Sequence, residues 1–342
     1  MDRRLEPITH FLTGACLGRA GFNRKTALAT ATMCLAAEAP DLDVLANLKG
    51  GVFGFAHHRG FTHSFIGLIF PCALVVFLVY GWWNLRGRKI DDPARPPRWG
   101  LLFLFAYFAG LSHILLDYTN NYGVRPFWPF SERWFSWDIV FIIEPVLWLL
   151  LVAGLVLPSL FALIGEEVGA RRERLQGRLG ATLALAAVVA LWGVRDYEHR
   201  RAVAALEARQ YENANPVRVM AGPYWVNPFR WSGLVETQDF FATASVTTWD
   251  VEVDPNDQMQ IWRKPEQTPV TIAAKKSYLG RVYLDWARYP LTETEPLADG
   301  GYVVKFKDLR FDYPEMRRRR SVLEATVILD SKLDVRGEKF GK

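Results

Sequence analysis

His57-His58-Arg59-Gly60-Phe61-Thr62-His63 is followed by Ser64 and then by an almost wholly apolar run from Phe65 to Trp83. Three of the six histidines of the chain fall within those seven residues. A bilayer span takes about 20 apolar residues, so Phe65–Trp83 reads as a transmembrane helix with a histidine cluster at its mouth. Such a cluster is either a polar loop at the membrane surface or part of a metal site. The polar residues of the neighbouring segments decide between these.

Working outward, further apolar segments lie at Gly100–Leu116, Ile139–Ile164 and Leu179–Val194. Upstream, Leu5 to about Ala20 reads as a first helix, followed by a turn at Gly21-Phe22-Asn23 and a second helix that ends before Pro40. Gly14 and Gly18 form the small-xxx-small spacing that lets helices pack closely in a bilayer. The expected fold is an α-helical polytopic membrane domain of about six helices over 1–194, a helical linker at 195–215, and a soluble α+β or mostly-β domain over 216–342. In the last part, β-rich runs such as Trp231–Val235, Phe240–Trp249, Tyr302–Phe306 and Val322–Leu329 alternate with turn residues. Lys275–Arg288 reads as one amphipathic helix, His199 as a solvated histidine, and Arg317–Arg320 as a solvated basic face.

The length of 342 residues agrees with two domains. A net charge of +5, spread between loops, does not point to nucleic acid. Cys16, Cys34 and Cys72 sit in apolar segments with no paired spacing, so they read as buried thiols rather than disulfides or metal ligands. The first apolar stretch carries His10 and two glycines, and predicts no cleaved signal peptide.

Lysine and arginine favour cytoplasmic loops. Loop 84–99 holds Arg86, Arg88, Lys89, Arg95 and Arg98, loop 165–178 holds Arg171, Arg172, Arg174 and Arg178, and the first turn holds Arg19, Arg24 and Lys25. The alternate loops, 38–63 and 117–138, are poorer in basic residues. The expected topology therefore places the three basic loops in the cytoplasm and the C-terminal domain outside it. Trp82, Trp83, Trp99, Trp128, Trp134 and Trp137 lie near span ends, as an interfacial belt would.

On that topology the ionisable residues gather at the outer face. These are His10, Asp41, Asp43, His58, His63, His113, Asp117, Asp138 and Glu144. His113 and Asp117 are four apart and share one helix face. Asp41 and Asp43, two apart in an extended segment, would point the same way. Glu144 would lie about a turn and a half inside the fifth apolar segment. Charged groups at membrane depth are costly and tend to be paired or functional. Histidine with aspartate and no cysteine suits a divalent first-row ion, zinc first and manganese second. The number of candidate ligands leaves room for two metals, an arrangement that favours phosphoester hydrolysis.

Four blocks carry a family resemblance: Thr9-His10-xxx-Gly14, Pro40-Asp41-x-Asp43, His58-Arg59-Gly60-x-Thr62-His63-Ser64, and Ser112-His113-xx-Leu116-Asp117-xx-Asn120-x-Tyr122-Gly123. In this order they resemble the signature blocks of the bacterial inner-membrane metal-dependent hydrolases of the YdjM type, called LexA-binding hydrolases. A remoter resemblance links the pattern to zinc-dependent phospholipase C and P1-type nucleases. It implies His10, Asp43, His58, His63, His113 and Asp117 as metal ligands. Asp41, Asp138 and Glu144 are then candidates for a general base or for orienting a ligand histidine, and Arg59 and Asn120 for contacts to phosphate.

The expectation is a multi-pass inner-membrane hydrolase of a phosphoester in a lipid or lipid-linked substrate, working at the extracytoplasmic face. The rival readings are a metal or ion transporter and a non-catalytic membrane scaffold. A transporter would need ionisable groups continuing toward the cytoplasmic halves of the spans, where the sequence has none.

Overall fold

The structure is a computed structural model that describes residues 7–86, 96–167, 176–313 and 323–341. Arg88, Lys89, Arg95, Arg171, Arg172, Arg174 and the basic run Arg317–Arg320 lie outside the described residues. The chain divides into two compact units, and the division is not linear in sequence. One unit takes residues 4–43 and 59–194. The other takes 195–342 together with the inserted segment 44–58.

The first unit is helical. It contains α1 (Pro7–Arg19), α2 (Ala29–Glu38), α4 (Ile69–Arg86), α5 (Trp99–Thr119), α6 (Pro145–Glu167) and the first part of α7 (Gln176–Glu207). By length and composition α5 and Gly177–Glu207 within α7 can cross a membrane, and the apolar stretches Ile69–Leu85 and Pro145–Phe161 are shorter. Helices α1 and α2 pack backbone to backbone. A Cβ on Gly14 would stand 2.6 Å from the Met33 carbonyl oxygen, and one on Gly18 would stand 2.7 Å from Thr30 Cα. The small-residue spacing is thus used for close helix contact. Buried Met33, Ala36, Leu68, Cys72, Phe105 and Ala109 form the core among α2, α4 and α5. All three cysteines are buried and free.

Two boundaries differ from expectation for local reasons. α6 begins at Pro145 and not at Ile139, because Asp138 adopts a left-handed conformation (φ 60°) and proline, lacking an N–H, suits the first helical position. Glu144 therefore precedes the helix, where its Oε1 accepts from Val146 N at 3.3 Å. After Pro40 the chain continues as a 3₁₀ segment, Ala39–Lys49, instead of an extended strand.

The second unit holds α3 (Gly51–His57), the end of α7, two antiparallel sheets and two short helices, α8 (Pro269–Lys276) and α9 (Tyr278–Trp286). The first sheet runs β1 (Arg218–Pro223), β2 (Arg230–Glu236), β3 (Phe240–Thr247), β4 (Glu252–Val253), with β5 (Gln260–Arg263) also paired to β3. The second runs β6 (Pro290–Pro296), β7 (Tyr302–Asp308), β8 (Ala325–Leu329), β9 (Val335–Phe340). Ala202 and Leu206 of α7 pack into the core of the first sheet with Trp231 and Val246. His199 is half-buried, edge-on to Trp231 at 5.3 Å, rather than solvated. Phe55 of α3 stacks on Phe340 at 3.8 Å, which ties the inserted segment to β9. The expected helix over 275–288 is two helices. Ser277 breaks it, because its side chain accepts from Gly280 N and caps α9.

Candidate metal centre

His113 and Asp117 lie one turn apart on α5, both buried. The Ala37 carbonyl of α2 stands 2.6 Å from His113 Nδ1. A carbonyl can only accept, so Nδ1 carries the hydrogen and Nε2 presents its lone pair to the interior. His63 arrives from the 3₁₀ turn Phe61–His63. That turn is held by Ser64 Oγ, which donates to the Phe61 carbonyl at 2.9 Å and accepts from Gly67 N at 2.9 Å. The His63 Nδ1 edge faces Thr62 Oγ1 at 3.2 Å and Asp43 Oδ2 at 3.4 Å, leaving its Nε2 for the interior.

Asp41 and Asp43 take different places because the segment is 3₁₀. With three residues per turn, positions two apart diverge. Asp41 Oδ1 joins the interior group, 3.5 Å from His63 Nε2 and 3.4 Å from His113 Nε2. Asp43 Oδ2 instead accepts from the Arg59 backbone N–H at 2.7 Å, holding a residue whose φ of 50° is left-handed.

Asp41, His63, His113 and Asp117 thus offer four ligand atoms to one point. The two Nε2 atoms are 3.1 Å apart, and each is 3.4 Å from Asp117 Oδ2. Five of the six separations among these atoms fall between 3.1 and 3.5 Å, and all lie within 4.8 Å; a point about 2.1 Å from each corner of a tetrahedron with edges of about 3.4 Å is at a zinc–nitrogen or zinc–oxygen bond length. Asp117 Oδ2 is buried without a hydrogen-bond donor, as an oxygen reserved for a cation would be. The donor set fits a divalent ion.

Charge balance agrees. Asp41, Asp43 and Asp117 bring three negative charges and Arg59 one positive. With neutral imidazoles the remainder is −2, which one divalent cation cancels. Burial pushes the Asp41 carboxyl up, yet the neighbouring His113 and His63 hold it well below the usual carboxylate range. Burial likewise opposes charge on His63, but contacts to Asp117 and Asp41 raise its pKa above the ordinary imidazole value.

Arg59 is 6% exposed. Its Nη2 donates to Asp117 Oδ1 at 2.7 Å, its Nη1 stands 3.2 Å from both Asn120 Oδ1 and the Gly123 carbonyl, and its plane covers the Tyr122 ring at 4.8 Å. It therefore acts inside the wall of the centre. Asn120 is spent similarly, accepting from Arg59 and from Tyr122 N. His10 stacks on His113 at 3.7 Å, with its Nε2 3.6 Å from Asp117 Oδ1 and no hydrogen-bond partner for its Nδ1. It borders the four-residue group without belonging to it.

Asp138 is buried in a segment tied to the end of α5, where Trp137 N donates to Tyr118 O and Ile139 N to Thr119 O. Glu144 is buried one turn before Trp148, whose indole donates to Thr9 Oγ1 beside His10. His58 caps α3 in the other unit, and His57 there has its Nδ1 2.9 Å from the Phe53 carbonyl. Neither is in the four-residue group. The Ala37 carbonyl escaped sequence reading, because a backbone acceptor leaves no residue-type signal.

Fold and centre define a helical membrane protein with a buried histidine–aspartate group able to hold a metal ion. The chain belongs to the YdjM inner membrane protein family, whose model matches residues 5–202. It is similar to the inner membrane protein YbcI of Escherichia coli (strain K12), 36% identical over 108 residues, covering 30% of this chain and 54% of YbcI. It is also similar to the uncharacterized protein YfhP of Bacillus subtilis (strain 168), 27% identical over 112 residues, covering 33% of this chain and 31% of YfhP. The chain thus spans less than two thirds of either relative. No solved structure matches it.

Proposed function

We propose that this chain is a multi-pass inner-membrane hydrolase with one divalent-metal centre, acting on a phosphoester of a lipid or lipid-linked substrate at the extracytoplasmic face. The observation that carries the reading is the gathering of one ligand atom each from Asp41, His63, His113 and Asp117 within 4.8 Å of one another. Zinc fits first, by donor type and by the size of the group. A bound ion would supply Lewis acidity toward a phosphoryl oxygen.

The residues of the chain set the rest. The Ala37 carbonyl and Asp43 fix the two imidazoles with Nε2 inward. Arg59 occupies Asp117 Oδ1, so that carboxylate has one oxygen left for the centre. The Asp41 side chain, 11% exposed, is the least enclosed of the four and marks the side from which a substrate would enter. His10 borders the group, its ring stacked on His113 and its Nε2 3.6 Å from Asp117 Oδ1. The concentration of lysine and arginine in loops 84–99 and 165–178, with few in the alternate loops 38–63 and 117–138, supports the outward address.

One observation favours a second reading. Four protein ligands close a tetrahedral sphere, which is the habit of structural zinc. In that case the ion staples 41–43 and 59–64 to α5, and no chemistry follows.

The test is metal analysis of the detergent-purified chain alongside hydrolysis of a panel of phosphomonoesters and phosphodiesters presented in mixed micelles. The hydrolase reading expects metal and hydrolysis to be lost together in His63→Ala. Bound metal with no hydrolysis of any panel member would favour the structural reading.

A further inference from the structure

We infer that the C-terminal unit carries a lipid-contacting edge formed by the connections 224–229 and 248–251, which seats it on the bilayer surface beside the point where α7 leaves the membrane. This does not depend on the metal centre.

Strand pairing brings the two connections together. Pro223 pairs with Trp231, Arg230 with Thr247, and Thr247 with Glu252. The β1–β2 and β3–β4 connections therefore leave the same end of the sheet. Thr248 N donates to the Phe229 carbonyl at 2.8 Å, and Phe229 meets Trp249 edge-on at 5.1 Å.

That end is fastened to a particular point on α7. Arg195 is fully buried, and its Nη1 donates to the Tyr224 carbonyl at 3.1 Å. One turn on, His199 packs against Trp231, and Ala202 and Leu206 continue into the sheet core. Residue 195 is also where the helix changes character. Leu179–Val194 is apolar, and Arg195-Asp196-Tyr197-Glu198-His199-Arg200-Arg201 follows. The sheet end bearing both connections is thus pinned where the bilayer segment stops.

The connections expose what an interface would take. Trp225 is 54% exposed, Val226 53%, Trp249 71% and Val251 48%. Tryptophan is favoured at the headgroup level because its ring is apolar with one polar edge. Val226 and Val251 hold φ of 62° and 54°, where a β-branched residue is a genuine outlier. Such strain persists only where its surroundings enforce it, and it gathers at functional positions. Here it lies on two apolar residues at two adjoining connections. A bilayer is the occupant that follows from continuity, since the apolar stretch that ends just before Arg195 belongs to a candidate membrane span.

The full chain in nanodiscs of phosphatidylethanolamine and phosphatidylglycerol tests this. The three native cysteines are buried, so a nitroxide can be placed at Val226→Cys, Trp249→Cys and, as a control on the second sheet, Val335→Cys. The ratio of oxygen to nickel-chelate accessibility should be several-fold higher at 226 and 249 than at 335. Equal ratios would overturn the inference. In the unmodified chain, a phospholipid bearing a diazirine should label peptides containing 224–229 and 248–251 as well as 179–194. Label on 179–194 alone, or cross-links joining those connections to a second copy or another protein in place of lipid, would also overturn it.

Discussion

The Nε2 atoms of His63 and His113 face each other at 3.1 Å, and both side chains are fully buried. Two imidazoles present lone pairs to one another only if a proton or a cation lies between them. The backbone decides which edges meet, since Ala37 O holds the far side of His113 while Asp43 and Thr62 flank the far side of His63. The pocket is built for positive charge.

Replacing a corner of the tetrahedron should therefore differ from replacing its support. His113→Ala and Asp117→Ala should each abolish stoichiometric metal. Asp43→Asn should weaken binding by about 10–100-fold, the usual cost of losing a group that orients a ligand. Metal titration of the three purified variants checks the order. Wild-type metal content in all three would dismiss the cluster as a metal site.

Acidity should act on metal-loaded and metal-free protein in opposite senses. His63 has a raised pKa in the metal-free fold, so its contribution to stability is complete below about pH 6.5, the unfolded value, and is lost as pH rises through the folded value. Asp41, held low, contributes above its unfolded value near pH 4, and that part is lost only as pH falls through its lower folded value. Metal needs the deprotonated histidine. The gain in melting temperature on adding zinc should thus widen from pH 6 to pH 8, and a constant gain would count against His63 as a ligand.

Much of this centre was legible from residue type and spacing. His113 and Asp117 could be paired because a helix puts residues four apart on one face, and α5 does so. Asp41 and Asp43 were harder. Their roles hinge on whether Pro40 starts a strand or a 3₁₀ turn, and that choice rests on packing that a local sequence does not encode. Segment 44–58 was harder again. Its place with the second unit comes from contacts such as Phe55 with Phe340, 285 residues apart, for which no periodicity gives notice.

The topology can be tested apart from the chemistry. On the proposed topology, drawn from the arginine distribution, the C-terminal unit is expected outside the cytoplasm. Alkaline phosphatase fused after Lys342 should be active, and a fluorescent protein that matures only in the cytoplasm should be dark. The reverse pattern would move the whole metal centre to the other membrane face.

Arg59 offers the sharpest division between wall and substrate site. Its guanidinium is buried against Asp117 Oδ1, Asn120 Oδ1, the Gly123 carbonyl and the Tyr122 ring. Arg59→Met keeps much of the volume but leaves Asp117 without its cation, and breaking a buried pair costs about 3–5 kcal/mol. The metal-free variant should therefore melt well below the wild type. Adding zinc should recover more stability than it does in the wild type, because the pocket then holds one more uncompensated negative charge. Arg59→Lys, which keeps the charge but loses the planar fork, should fall between the two. A phosphate-contacting arginine would behave otherwise, raising KM at unchanged stability. Thermal unfolding of both variants with and without zinc distinguishes these roles, and a wild-type melting temperature for metal-free Arg59→Met would remove Arg59 from the wall of the centre.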